Sequence, residues 1–274
     1  MYRILHLSDP HFGAANRQQA DAIVETAGKL NPDFTLVTGD FSMRARRREM
    51  RDAAEWYLKL PTPRMAIPGN HDVPLLNHLY DRFFNSFGRY KAYIEPQLEP
   101  AELLPVGKII GLNSSTPFGL HIDWSRGFLT PAQGRRIETA FDGVDENLFR
   151  FVAFHHPLHR KGESTRILIH PLTLIQHALA TGQVDIVFAG HFHQSYAGLI
   201  DLHYKQRNVI VSQAPTCCST RLKGEPAGFH LIHLAPEKQS ISIEYFSWYQ
   251  NAFSHTEIKH FRKIGNRWDT VISA

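Results

Sequence analysis

A layered α/β fold is what this sequence predicts, on three observations. Short apolar runs of strand character alternate with segments of helical periodicity, the pattern that yields parallel pairing under helices. Five of these runs stop on Asp, Asn or His, mostly beside Gly or Pro. The last third of the chain is rich in strands, which predicts a second sheet packed on the first.

The elements follow in order. YRILHLS, at the start, reads as a strand. RQQADAIVETAGKL sets Ala20, Ile23, Val24, Ala27 and Leu30 on one helical face. DFTLVTGD is the next strand, and RRREMRDAAEWYLKL a helix carrying Met50, Ala53, Ala54, Tyr57 and Leu60. RMAIPGNHD is a third strand. GKIIGLNS, LFRFVAFHHP, VDIVFAGHFH, NVIVSQAP, FHLIHLA and QSISIEYFSW are further strands. Helices are expected from Pro131 to Phe141 and from Pro171 to Ala180. The span 77–105 is aromatic with weak periodicity, and reads either as helical cover or as a lid facing a substrate. The segment 247–274 carries no motif. No linker or repeat interrupts the 274 residues, so 1–274 is read as a single domain.

Composition sets the outer bounds. Hydrophobic residues make up 43% and charged residues 20%, as in ordinary globular proteins. The basic pI of 9.1 rests on a net charge of only +4, too little to argue for nucleic acid, and no dedicated nucleic-acid-binding domain is visible. Five arginines, Arg44, Arg46, Arg47, Arg48 and Arg51, form a basic run. A solvated helix face is the preferred reading, and peripheral contact with an anionic substrate or membrane surface the alternative. Cys217 and Cys218 are adjacent and the only cysteines, so no disulfide framework is expected and a reducing compartment fits. With no secretory signal in MYRILHL and no apolar run near the ~20 residues of a membrane span, a cytoplasmic location is expected.

The strand ends carry the chemistry. They read Ser8-Asp9-Pro10-His11, Gly39-Asp40, Gly69-Asn70-His71-Asp72, His155-His156-Pro157 and Gly190-His191-Phe192-His193. Taken singly, each is explained by a turn, because Asn and Asp favour turns. Together, each following an apolar run, they converge at the carboxyl edge of a sheet, where α/β folds bind ligands. Imidazole, carboxylate and amide oxygen without thiolate suit iron, manganese, zinc or cobalt. The donors are too many for one tetrahedral ion. Two ions ~3.5–4 Å apart, bridged by a carboxylate, would use them all.

The ordered set D-x-H, G-D, G-N-H-D, H and G-H-x-H, spanning residues 9 to 193, resembles the calcineurin-like metallophosphoesterase superfamily. The resemblance implies a four-layer αββα sandwich of two mixed β-sheets flanked by helices, with two divalent or mixed-valence metal ions at one edge. Carried onto this chain, it implies that Asp9, His11 and His193 hold one ion, that Asn70, His155 and His191 hold the other, and that Asp40 bridges. His71 would stand over the substrate as general acid or as donor to the phosphate. His155 takes the ligand place of the histidine pair, and His156 would orient a ligand from behind. Within the superfamily the short spacing between motifs, PGNHDVP and the strand GFHLIHL are most similar to small bacterial class III cyclic-nucleotide phosphodiesterases and glycerophosphodiesterases. QAPTCCSTRLKGE matches a loop near the metals in those enzymes. Arg221 within it is read first as a surface side chain and second as a phosphate contact.

The expected activity is therefore hydrolysis of a small-molecule or lipid phosphodiester, cyclic nucleotides first and glycerophosphodiesters or phospholipid head groups second. Phosphomonoester hydrolysis, a DNA nuclease and a scaffold that has lost its metals rank below. Every ligand and His71 are present, which argues against the scaffold.

Overall fold

The computed structural model describes residues 1–75, 79–116, 125–159 and 168–271. The first two residues of the 77–105 span and the last three of the chain lie outside the described residues.

The N-terminal third builds a parallel core. Strands β1 (Tyr2–Leu7), β2 (Phe34–Thr38) and β3 (Arg64–Ile67) pair in parallel, linked by α1 (Arg17–Leu30) and α2 (Arg47–Tyr57). The side chain of Asn16 caps α1 by accepting from the Gln19 amide, and Asn31 ends it in the left-handed conformation. Period-two alternation sends Leu5 and Leu7 toward the helices, where they meet Ile23, Ala27, Met50, Ala53 and Trp56. Ile4 and His6 turn to the opposite face. In the aromatic span 77–105 residues 79–93 form two short helices, α3 (Leu79–Phe84) and α4 (Gly88–Tyr93), the helical alternative, and Ala101–Leu104 add a strand.

The middle of the chain makes the second sheet. Strands β4 (Ala101–Leu104), β5 (Gly107–Gly111), β6 (Phe149–Ala153), β7 (Ile186–Ala189), β8 (Tyr196–Asp201) and β9 (Asn208–Gln213) lie in the order β4-β5-β6-β7-β9-β8. Helices α5 (Pro131–Thr139) and α6 (Leu172–Thr181) cover its outer face through Ile137, Ile175 and Leu179 against Val152, Val187 and Val211. Between the sheets Ile4, Phe34, Leu36 and Ile67 meet Ile109, Phe151, Phe188 and Ile210. Helices, sheet, sheet, helices: the four-layer expectation holds.

The expectation for the last third needs correction. Strands β10 (Gly228–Leu234), β11 (Ser240–Tyr249), β12 (Ala252–Ile264) and β13 (Arg267–Val271) do not form the second sheet. They extend the first, in the order β13-β12-β11-β10-β1-β2-β3, because β10 pairs antiparallel with β1 from Tyr2↔Leu234 to His6↔His230. The motif-free end of the chain is thus structural. Trp268 is fully buried between the sheets, and its indole N–H donates to Asp185 Oδ1 at 3.2 Å. Lys263 and Lys238 close on the same buried carboxylate at 2.7 and 2.6 Å.

Candidate metal centre

Both sheets deliver side chains to one edge. Asp9 and His11 follow β1, Asp40 follows β2, and Asn70 and His71 follow β3. His155 follows β6 and His191 follows β7. Since β1–β3 run parallel to one another, and β6 to β7, each set of carboxyl ends opens on one side of its sheet.

Six of the seven expected ligands, Asp9, His11, Asp40, His155, His191 and His193, come together, and the seventh, Asn70, is buried at the end of β3. His193 Nε2 lies 3.2 Å from Asp9 Oδ1 and 2.9 Å from His11 Nε2. His11 Nε2 is 3.6 Å from Asp9 Oδ1 and 3.5 Å from Asp40 Oδ2. His155 Nε2 is 3.3 Å from that same Asp40 oxygen. Asp40 Oδ2 therefore stands between a histidine of each set. The grouped donor atoms of Asp9, His11 and His193, of Asp9, Asp40 and His155, and of His155, His156 and His191 each lie within 4.8 Å of one another.

The backbone is bent to achieve this. Asp9, His11, Asp40, His191 and His193 all have φ between 47° and 72°, a left-handed conformation that costs a side-chain-bearing residue about 1–3 kcal/mol. Such strain persists where surroundings over-determine it, typically at functional sites. Gly39, with φ of 89°, is required twice: a Cβ there would come within 2.7 Å of His155 Nδ1 and 2.8 Å of the Gly69 backbone. A Cβ on Gly190 would collide with Ser8 Oγ and Asp9 Oδ2.

Second bonds aim the ligands. His155 Nδ1 donates to the Thr38 carbonyl at 2.6 Å and His193 Nδ1 to the Arg221 carbonyl at 2.7 Å, which turns each Nε2 lone pair into the site. Ser8 Oγ and the His191 amide donate to Asp9 Oδ2 at 2.5 and 2.9 Å, and the His71 amide donates to Asp40 Oδ1 at 2.8 Å. Asp72 accepts from the amides of Gly69, Phe41 and Ser42, tying the third strand end to the second. His156 Nδ1 bonds Ser114 Oγ at 2.8 Å, and its ring stands 4.6 Å from that of His191. Sequence reasoning gave no role to Ser8, Thr38, Asp72 or Ser114. Ser8 and Asp72 sit inside the motifs and had a signal. Thr38 acts through its carbonyl, which any residue carries, and Ser114 is remote in sequence.

Electrostatically the site keeps its two carboxylates as anions. Burial alone would raise both carboxyls, yet His193 and His155 hold Asp9, and His155, His71 and His11 hold Asp40, well below the usual carboxylate range. In return, against its burial, Asp40 and Asp9 push His155 up to about 9. Burial keeps His11 down at about 4 and His191 at about 3. Buried atoms left without a hydrogen-bond partner include Asp9 Oδ1, His155 Nε2 and Asn70 Oδ1. A buried polar atom without a partner costs about 1–3 kcal/mol unless something else satisfies it. Nitrogen and oxygen donors bound to one ion at ~2.0–2.2 Å lie roughly 3 Å apart, close to the spacings seen here. The donor set fits divalent cations.

His71 and Arg221 sit beside these donors. His71 Nδ1 donates to the Met43 carbonyl at 2.8 Å, and Arg221 Nη1 lies 3.2 Å from His71 Nε2. Arg221 is half-buried and touches the site, so the surface reading preferred for it is corrected: the CCSTR turn, pinned where the Cys217 amide donates to the Ser8 carbonyl, carries it inward.

Comparison with known proteins agrees with this geometry. No curated protein sequence matches. Among solved structures, a purple acid phosphatase from yellow lupin (Lupinus luteus) seeds superposes with a TM-score of 0.69 at 13% identity, over 94% of this chain and 53% of its own. This chain therefore spans about half the length of the lupin protein. GAP50, described as the anchor in the inner membrane complex of Plasmodium, gives 0.56 at 12% identity over 97% and 90% of the two chains. A Vps29 variant from Entamoeba histolytica gives 0.50 at 10% over 95% and 99%. At these identities the likeness is one of fold. The calcineurin-like phosphoesterase profile matches residues 2–195 and takes in every strand-end motif, and the chain belongs to that family.

Proposed function

We propose that this protein is a metal-dependent phosphodiester hydrolase with a two-ion centre. Asp9, His11 and His193 would hold one ion and Asn70, His155 and His191 the other, with Asp40 shared between the two. The observation that supports this reading most is the position of Asp40 Oδ2, 3.5 Å from His11 Nε2 and 3.3 Å from His155 Nε2. Iron, manganese, zinc and cobalt all suit the donors. Two such ions, when bound, supply Lewis-acid charge for a phosphoryl group and a water acidic enough to ionise near neutral pH.

The chain's own groups do the rest. Attack of water on phosphorus breaks the ester P–O bond, and the electron pair leaves on the alkoxide oxygen. His71, whose Nδ1–H is committed to Met43, meets that oxygen with Nε2; protonated there, it gives up the proton as the alkoxide departs. Arg221 faces the same Nε2. A substrate phosphate draws the guanidinium onto its own oxygens, which frees His71 for proton transfer and adds charge opposite the developing negative charge. His156, hydrogen-bonded to Ser114, holds the His191 ring in place.

Cyclic nucleotides are the first substrates to test, and glycerophosphodiesters and phospholipid head groups the second. The common core of the two sheets supports a single domain over 1–274. Cys217 and Cys218 are free and buried with sulfurs 3.9 Å apart, which supports a reducing, cytoplasmic setting. Among the described residues no helix is long and apolar enough to cross a membrane.

The test is hydrolysis of bis(p-nitrophenyl) phosphate and of the nitrophenyl monoester by metal-defined protein, followed by the natural diesters. Diester turnover that disappears on chelation and returns with metal supports the proposal. Bound metal with monoester turnover alone would make the protein a phosphomonoesterase. Neither metal nor turnover would leave a scaffold.

A further inference from the structure

Helix α3 is built inside out. Its charged residues face the protein: Arg82, only 4% exposed, donates to the Pro74 carbonyl at 2.6 Å, and Asp81 pairs with Arg89 at 2.5 Å. Its aromatic residues face water. Tyr80 is 74% exposed, Phe84 79% and Phe83 44%, and the Tyr80 and Phe84 rings lie 5.4 Å apart. Positions i, i+3 and i+4 share one helical face, so the three make a single apolar ridge. An ordinary surface helix buries that face and exposes its charges. The helix is not loosely placed. Ser86 and Arg89 anchor it, and Phe87 and Tyr90 of the following turn are buried in the main core.

The basic run lies alongside. The Arg89 guanidinium donates with Nη1 to the Ala45 carbonyl and with Nη2 to Asp81, so one side chain joins the run 44–51 to α3. Arg44, Arg46, Arg47, Arg48 and Arg51 are all exposed. The acids nearby balance only part of the run: Arg46 pairs with Glu49 at 3.9 Å. Glu49 is buried and receives the Arg44 amide, Asp52 is paired with Arg17, and Glu55 alone of the acids on α2 faces water. An aromatic ridge beside a cationic shelf has the chemistry of a surface that seats on lipid: rings enter the headgroup boundary while arginines meet anionic headgroups.

We propose that α3 and the arginine run form a docking surface for an anionic phospholipid bilayer. The surface borders the metal centre, because Met43, which accepts from His71, immediately precedes Arg44. A bilayer held there lies beside the mouth of the site. The inference stands apart from the hydrolytic reading, since it concerns attachment and not chemistry.

Vesicle co-sedimentation tests it, using phosphatidylcholine vesicles with and without phosphatidylglycerol. The full chain should sediment with the anionic vesicles and not with the neutral ones. Raising salt to ~1 M, where charges are screened beyond ~3 Å, should release much of it. Tyr80→Ser/Phe84→Ser should weaken binding at least ~10-fold, and Arg47→Glu/Arg51→Glu about fivefold or more per arginine removed. Tyr249→Ser, at the exposed end of β11, should bind like the parent, and melting curves of all variants should match. Turnover of soluble bis(p-nitrophenyl) phosphate should not change in the ridge variant. No binding to anionic vesicles, or unchanged binding by the ridge variant, overturns the proposal. So does concentration-dependent dimerisation that the ridge variant abolishes without any vesicle binding, which would make the ridge a contact between copies.

Discussion

Two groups of buried histidines occupy the space between and at the edge of the sheets, and they differ in one respect. In the interior, His6 bonds Ser212 and Thr38 hydroxyls at 2.9 and 3.0 Å, and His230 bonds Ser212 and Ser195 at 2.9 and 2.8 Å. Both nitrogens of each ring are satisfied. At the strand ends, His155 spends Nδ1 on Thr38 and His193 spends Nδ1 on Arg221, while the Nε2 atoms turn toward Asp40 and Asp9. Burial is common to both groups, so burial is not what marks a functional histidine. The mark is a nitrogen aimed at carboxylates with no hydroxyl or carbonyl to receive it.

The sharpest way to break that contrast is Asp40→Ala. Loss of the proposed bridge should abolish turnover and strip metal, read by elemental analysis, whereas His6→Gln should retain about two ions per chain. Retention of both ions and of full turnover by Asp40→Ala would end the bridging role.

His71→Ala comes next. Metal content should stay near that of the parent, and turnover of a diester with a poor leaving group should fall by ~10²–10⁴. The loss should be smaller for a nitrophenolate leaving group, which needs little protonation. Equal losses would assign His71 to the phosphoryl oxygens, and loss of an ion would make it a ligand.

Asn70→Ala should act on one side of the centre only, lowering metal content from about two ions toward about one. Loss of both ions together would show that the two sides are not separable.

The smallest effect concerns the satisfied pair. Burial holds His230 down at about 3, helped by Lys259, and holds His6 well below its usual value despite Asp9. A depressed folded value means the unfolded chain takes up protons first, so stability falls as pH drops below the ordinary histidine value of ~6.5. Around His230 stand His6, Tyr245 and Lys259, with Glu225 on the Ser195 amide. His230→Gln should flatten the decline of the melting temperature between pH ~6.5 and ~4.5. An unchanged slope would place the acid sensitivity elsewhere, for example in the metal centre.

Much of this was legible from residue order alone. Helix α1 matches RQQADAIVETAGKL end to end, because a strong 3.6 period lies between two asparagine caps. The five strand ends were legible because a β-strand that stops on Asp or His beside Gly leaves a local trace. Strands β4 and β8 were not, β4 being short and mostly exposed and β8 only partly buried, and β12 was masked by its charges: most of its thirteen residues face water.

The sequence by itself determined the alternation of elements and the candidate donors at the strand ends, since these depend on neighbours within a few positions. Tertiary structure alone decided which sheet the last four strands joined, because the pairing of β10 with β1 joins residues more than two hundred positions apart. It also decided that Arg221 faces His71, through a turn pinned to the end of β1, and that α3 shows its rings to water and its charges to the protein. Periodicity tells which residues share a face. Which way that face points is settled only by what the rest of the chain packs against it.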